Sequence, residues 1–165
     1  MGSCKPRPES FARAAALLKA HPLFAGADGA SIARTLNFVR IVSVAKGETL
    51  FRKGDPAAEV YYLVDGGIDF PEIGVSLPPG RIFGEIAFFT HERKRTQTAR
   101  CTVDSTVMTI DEATLKELYY QNPEFGFHLV SLVARRLAGN VDRLEAQLAA
   151  LPYGVETHAP EQGGH

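Results

Sequence analysis

The run FGEIAFFTHERKRTQT, residues 83–98, gathers side chains whose types and spacing suit an anion held beside a sugar. Gly84 precedes a short apolar turn, Glu85-Ile86-Ala87-Phe88, and Arg95-Thr96 follows ten residues after the glutamate. Without a Cβ, Gly84 lets the backbone come close to a bound molecule. The first N–H groups of a short helical turn lack partners within it and favour an anion. Arg95 offers a forked pair of donors that suits phosphate oxygens, and it stays charged at any relevant pH. Glu85 cannot face the same anion, because like charges repel. A fixed carboxylate there is suited to accepting hydrogen bonds from ribose hydroxyls. Thr96 adds a hydroxyl able to donate to phosphate or to a purine edge. Each residue also has a plainer reading. Glu85 is what the macrodipole favours at any helix start, and Arg95 ends the charge run Glu92-Arg93-Lys94-Arg95. Arg93 and Lys94 are read as part of a solvated face. Taken as a set, the residues read as ribose plus phosphate.

The stretch resembles the phosphate-binding cassette of the cyclic nucleotide-binding domain family. That pattern runs F-G-E-x-A-L, a short variable loop, then R-[STA]-A-[TS]. Here it stands as Phe83-Gly84-Glu85-Ile86-Ala87-Phe88, then Arg95-Thr96-Gln97-Thr98. Upstream, Lys46-Gly47-Glu48, Lys53-Gly54-Asp55 and Tyr61 to Gly67 follow the family's turn–strand–turn spacing, and the likeness covers roughly Leu23 to Leu151. The resemblance implies that Arg95 and the N–H groups of Glu85 to Ala87 neutralise a cyclic phosphate while Glu85 holds the ribose. It implies cAMP as ligand, with cGMP open because Thr96 can meet a guanine amino group. It also implies that the last helix covers the purine, where Arg136 is either a contact or a surface charge. Phe70 and Val75, on a short hairpin, are either the apolar wall for the base or simple core. Two positions depart from the pattern. Gln97 stands where the family has alanine, and the segment between Gly67 and Gly80 is short, which predicts a tight hairpin.

The elements that must position these groups are legible in outline. Phe11, Ala14, Ala15, Leu17 and Leu18 recur at helical spacing over Glu9 to Ala20, before His21-Pro22. Asp28 is a candidate N-cap for a second short helix reaching Leu36. From Phe38 to Ile110, short β-branched and aromatic runs alternate with turn pairs: Lys46-Gly47, Lys53-Gly54, Gly66-Gly67 and Pro79-Gly80. The spacing predicts an α+β chain built on an eight-stranded antiparallel β jelly roll, with helices before and after it. Asp111 caps a helix running to Asn122-Pro123, and a last long helix reaches about Leu151. On that helix Val130, Val133, Leu137, Val141, Leu144, Leu148 and Leu151 form one apolar stripe. It either packs on its own barrel or forms a seam with a partner, such as a homodimer. Gly139 costs about 1 kcal/mol against alanine in a helix interior, so a bend at Gly139-Asn140 is expected. The organisation reads as a flexible start (1–8), a helical segment (9–37), the jelly roll (38–110) with its cassette (83–98), lid helices (111–151) and a disordered tail (152–165).

Bulk properties narrow the class. At 165 residues and 45% apolar, the chain supports one domain with a real core. A net charge of −1 argues against a general nucleic-acid or membrane-surface binder. Cys4 and Cys101 are far apart and read as reduced thiols, which fits the cytoplasm. No apolar run approaches the ~18–20 residues of a membrane span, and no signal peptide opens the chain. The start Met1-Gly2-Ser3-Cys4 has Pro6 where an acylation motif wants serine or threonine, so it reads as an ordinary terminus. His21, His91, His128, His158 and His165 show no metal-ligand spacing, and no Ser-His-acid or Cys-His motif is recognisable, so no enzyme is expected. Only fourteen residues follow Leu151, too few for a helix-turn-helix, so direct DNA binding by this chain is not expected. The domain carries no output module, which implies an effector domain or subunit, such as a channel or transporter. Two rivals stay open: an assembly module with an empty pocket, favoured by Gln97, and the sensor part of a catabolite-activator-like transcription regulator.

Overall fold

The structure, a computed structural model, describes residues 8–151. The expectations for residues 1–7 and 152–165, the thiol of Cys4 included, lie outside them. The chain divides into two compact units, the first ending at Val133 and the second beginning at Ala134.

In the first unit, α1 (Pro8–Ala20), a 3-10 turn (Pro22–Phe24) and α2 (Gly29–Phe38) precede eight strands. These are β1 (Arg40–Val44), β2 (Thr49–Phe51), β3 (Glu59–Asp65), β4 (Ile68–Phe70), β5 (Val75–Leu77), β6 (Ile82–Phe83), β7 (Ala99–Cys101) and β8 (Ser105–Asp111). They pair antiparallel in two four-stranded sheets of order β1-β8-β3-β6 and β2-β7-β4-β5, the predicted jelly roll. Each turn pair read from the sequence falls in the connection after a strand. The short hairpin is tight, with four residues between β4 and β5.

Strand alternation divides the apolar residues between two cores. Val60, Tyr62 and Val64 of β3, with Met108 and Ile110 of β8 and Ile82 of β6, pack with Ala14, Leu18, Phe24, Ile32, Leu115 and Phe125 from the helices. Leu63, Val107 and Phe83, of opposite parity, pack with Phe51, Ile68, Phe70, Ala99 and Cys101 from the other sheet. Successive side chains of a strand point to opposite faces, so a sheet covered on both sides must be apolar at nearly every position. That is why β3 and β8 read as continuous apolar runs. The tyrosine hydroxyl of Tyr62 lies within the first core, and burial pushes its pKa up to about 12.

The helix starts are fixed by acids. Asp28 Oδ1 accepts from Ser31 N at 2.7 Å at the head of α2, and Asp111 Oδ1 accepts from Thr114 N at 2.8 Å at the head of α3 (Glu112–Gln121). Both caps are those the sequence marks. The last helix, α4 (Pro123–Ala150), runs through Gly139 and Asn140 without a break in its helical assignment. Its apolar stripe has two fates. Val133 is buried in the first unit, while in the second unit Leu137, Val141, Leu144 and Leu148 are 45–58% exposed. Val130 is exposed as well.

Candidate functional site

Arg95 is 4% exposed, and no ion pair among the described residues includes it. Its guanidinium instead meets backbone and rings. Nη1 donates to Gly84 O at 2.9 Å and Nη2 donates to Glu59 O at 2.7 Å. Its central carbon lies over the Phe51 ring, 4.2 Å from the centroid, and 5.4 Å from the centroid of Tyr61. Nε is buried without a hydrogen-bond partner. Burial lowers the arginine's pKa, and Tyr61, Glu59, Asp55 and Glu85 push the other way. The group stays cationic, since an arginine side chain does not lose its proton in a protein. Two of its five N–H donors are in use, and Nε–H is one that is not.

Gly84 makes this seat possible. It has φ +79°, and a Cβ there would stand 2.7 Å from Arg95 Nη1. The positive φ and the close approach both call for glycine, and the group that approaches is Arg95, where the sequence suggests a bound molecule. Glu85 follows as the N-cap of a 3-10 turn (Ile86–Phe89), but its side chain makes no capping bond. The carboxylate is 1% exposed, beside Gly84 and close enough to favour charge on Arg95. Ala87 is buried and Ile86 half-buried on that turn, while Phe83 is buried on β6. Phe70 stands edge-on to Phe83, with centroids 6.1 Å apart, and Val75 packs against the same cluster. Thr96 is exposed. Arg136 is half-buried on α4 in the second unit, so the first unit does not gather it with the rest. Gln97 is half-buried, and its carboxamide oxygen is out of solvent without a partner.

Phe51, Tyr61 and the carbonyl of Glu59 were not legible as site groups. Glu59 lies thirty-six residues upstream of Arg95, and only sheet pairing brings it near. Arg93 keeps its reading as an exposed charge but also has a partner. It is half-exposed, yet it grips Glu112 with both nitrogens, at 2.6 and 3.0 Å, from a backbone at φ 49°. Hydrogen bonds from Arg93 and Lys116 hold the Glu112 carboxyl down to about 2.

The glycine, buried acid and buried arginine are those of the cassette pattern, and the family description for "Cyclic nucleotide-binding domain" matches residues 41–122. The chain belongs to the cyclic nucleotide-binding domain family. A cyclic nucleotide-gated potassium channel of Mesorhizobium japonicum is 29% identical over 120 residues, 72% of this chain and 33% of the channel. A CRP-like cAMP-activated global transcriptional regulator of Mycobacterium tuberculosis is 26% identical over 126 residues, 70% of this chain and 54% of the regulator. The chain thus spans from about a third to about half of the curated relatives it matches. Among solved structures, the sensor domain of the transcriptional regulator DNR from Pseudomonas aeruginosa superposes with a TM-score of 0.67 at 24% identity. That match covers 81% of this chain and 95% of the sensor domain, a likeness of fold.

Proposed function

We propose that this domain binds a cyclic nucleotide, cAMP first and cGMP second, and regulates a partner without catalysis of its own. One observation carries the reading. A buried cation that forms no ion pair among the described residues, and whose Nε–H has no partner, sits beside a glycine and near a buried carboxylate. An isolated buried charge is costly, and an anionic ligand relieves that cost. In this reading Arg95 takes the cyclic phosphate, Glu85 holds the ribose, and Phe70 and Val75 flank the base. Thermal unfolding with cAMP, cGMP and AMP tests it. A ligand at a hundred times its Kd adds about 2.7 kcal/mol, or roughly 5–10 °C for a chain of this size. Stabilisation by either cyclic nucleotide, with AMP inactive, is expected; a flat response to both cyclic nucleotides rejects the site.

The signal leaves through α3. Arg95 bonds the carbonyl of Glu59, Glu59 pairs in register with Asp111, and Asp111 caps α3. Arg93 grips Glu112 one residue on. Occupying the cassette therefore biases α3 and the helix after it between two arrangements, by the ligand's differential affinity for them. The exposed stripe of α4 suits a second copy of the chain. Leu137 and Leu144 alternate with Ala134, Val141 and Leu148 at heptad spacing, and the flanking positions Ala138, Asn140, Glu145 and Gln147 carry one charge between them. Leu137 and Leu144 at d, with Val141 at one of the three a positions, fit a two-stranded seam. Sedimentation equilibrium is expected to show a dimer that Leu144→Glu converts to monomer; a monomeric parent chain overturns the seam. Effectors of the channel or transcription-regulator kind follow from the relatives, and the cytoplasm is the compartment implied.

A second reading has a specific observation behind it. Gln97 places a half-buried amide where the resemblance gives alanine, and its oxygen is unbonded. An assembly module with an unused pocket fits that feature, and the same unfolding assay separates the two.

A further inference from the structure

We infer that Phe51, on β2, is the positioning residue that holds Arg95 in place and keeps its charge available to an anion. The inference rests on the reading of Arg95 as the phosphate ligand. A buried guanidinium is ordinarily fixed by a carboxylate, and such a partner would compete with the ligand for both charge and donors. Here no carboxylate grips the guanidinium, although those of Glu59, Asp55 and Glu85 lie near enough to favour its charge. Two carbonyl oxygens, of Gly84 and Glu59, take one N–H each from Nη1 and Nη2. The nearer of its two ring contacts is Phe51, whose centroid lies 4.2 Å from the guanidinium carbon, against 5.4 Å for Tyr61. A ring attracts a cation through its π face and occupies none of its N–H groups. Nε–H thus stays free, and it is the buried donor without a partner.

The ring is itself packed within an aromatic cluster. Phe51 is buried, with its centroid 5.5 Å from Tyr61 and 6.3 Å from Phe83, and Tyr61 stacks on Phe83 at 5.3 Å with 17° between planes. Phe70 closes the cluster edge-on against Phe83. Tyr61 also faces the cation but from farther away, so Phe51 makes the closer ring contact. The outcome is a cation fixed from the opposite sheet by a group that a phosphate does not displace.

The experiment compares the parent chain with Phe51→Leu, which keeps apolar volume and removes the ring, and Phe51→Tyr, which keeps the ring. Two quantities are read. One is the position of the Arg95 Nε–H proton resonance without ligand, which an aromatic face moves upfield. The other is affinity for cAMP and cGMP by calorimetry, at a temperature where each variant gives the spectrum of a folded chain. The expected result is an upfield resonance in the parent and in Phe51→Tyr that relaxes in Phe51→Leu. Affinity should fall by about 2-fold to 30-fold in Phe51→Leu and recover in Phe51→Tyr. An Arg95 resonance that is the same in parent and Phe51→Leu overturns the inference, as does unchanged affinity in Phe51→Leu. So does equal weakening in both variants, which marks packing alone. A parent chain that binds neither cyclic nucleotide refutes the reading of the site, and the ligand-free resonance then decides on the seat by itself.

Discussion

Replacing Arg95 with alanine is expected to weaken cyclic nucleotide binding by roughly 30-fold to several thousandfold. The range follows from the cost of truncating one side of a buried charge pair, about 2–5 kcal/mol, at about 1.4 kcal/mol per tenfold. The upper part of the range applies if the bound phosphate has no other cation. Among the described residues, the Arg95 guanidinium alone bonds the Gly84 carbonyl and faces Phe51, while Arg40 is engaged with the Glu59 carboxylate and Arg93 with Glu112. Stability should respond differently from affinity. Alanine removes a desolvated charge, which is a gain, but strands the carbonyls of Gly84 and Glu59, which is a loss. Calorimetric titration of the variant with cAMP and cGMP separates the two effects. Affinity equal to that of the parent chain would show that the phosphate, if bound at all, is bound elsewhere.

The part of this site that the sequence displays is the part made locally. Gly84, Glu85 and Arg95 lie within one short stretch, and their chemistry is complementary whatever surrounds them. Asp28 and Asp111 are equally local, since an N-cap acts within three residues. The seat beneath Arg95 is not local. Phe51 and Tyr61 look like ordinary strand residues, and alternation predicts only that they face inward. Which inward-facing ring meets the arginine depends on how β2 and β3, from different sheets, come together. The α4 stripe shows a different limit. Helical spacing marks Val133 and Leu137 alike, yet one is buried and the other exposed, because periodicity identifies an apolar face without saying how far its cover extends. Arg93 shows a third. A charge in a charged run is usually solvated, and its grip on Glu112 depends on where α3 begins in space.

Gly66→Ala is expected to destabilise the fold by about 2–4 kcal/mol, the largest single effect on stability anticipated at a turn. The sequence marks Gly66-Gly67 only as a turn pair, one of four. In the structure Gly66 has φ +99°, a conformation that side-chain-bearing residues rarely adopt, and it follows an irregular register between β3 and β8 at Leu63/Asp65. Space is the second obstacle. A Cβ at Gly66 would stand 2.7 Å from the Cα of Ser105, a backbone atom of β8 that cannot rotate aside. Ser105 is itself pinned, pairing with Val44 of β1, with its Oγ donating to Val103 O at 2.8 Å and accepting from Gly67 N at 3.2 Å. Relief therefore requires β8 to shift against β3, which opens both cores. Gly84 shares the positive φ, but the nearest atom in its way is the tip of the Arg95 side chain, so the crowding there comes from the site and at Gly66 from the fold. Urea denaturation of Gly66→Ala should give a lower midpoint with an unchanged slope, and cyclic nucleotide affinity close to the parent's where the variant is folded. A loss below about 0.5 kcal/mol, the range of neutral surface substitutions, would mean that β8 yields easily, and that the tight packing of Gly66 on Ser105 does not fix the spacing of the two strands.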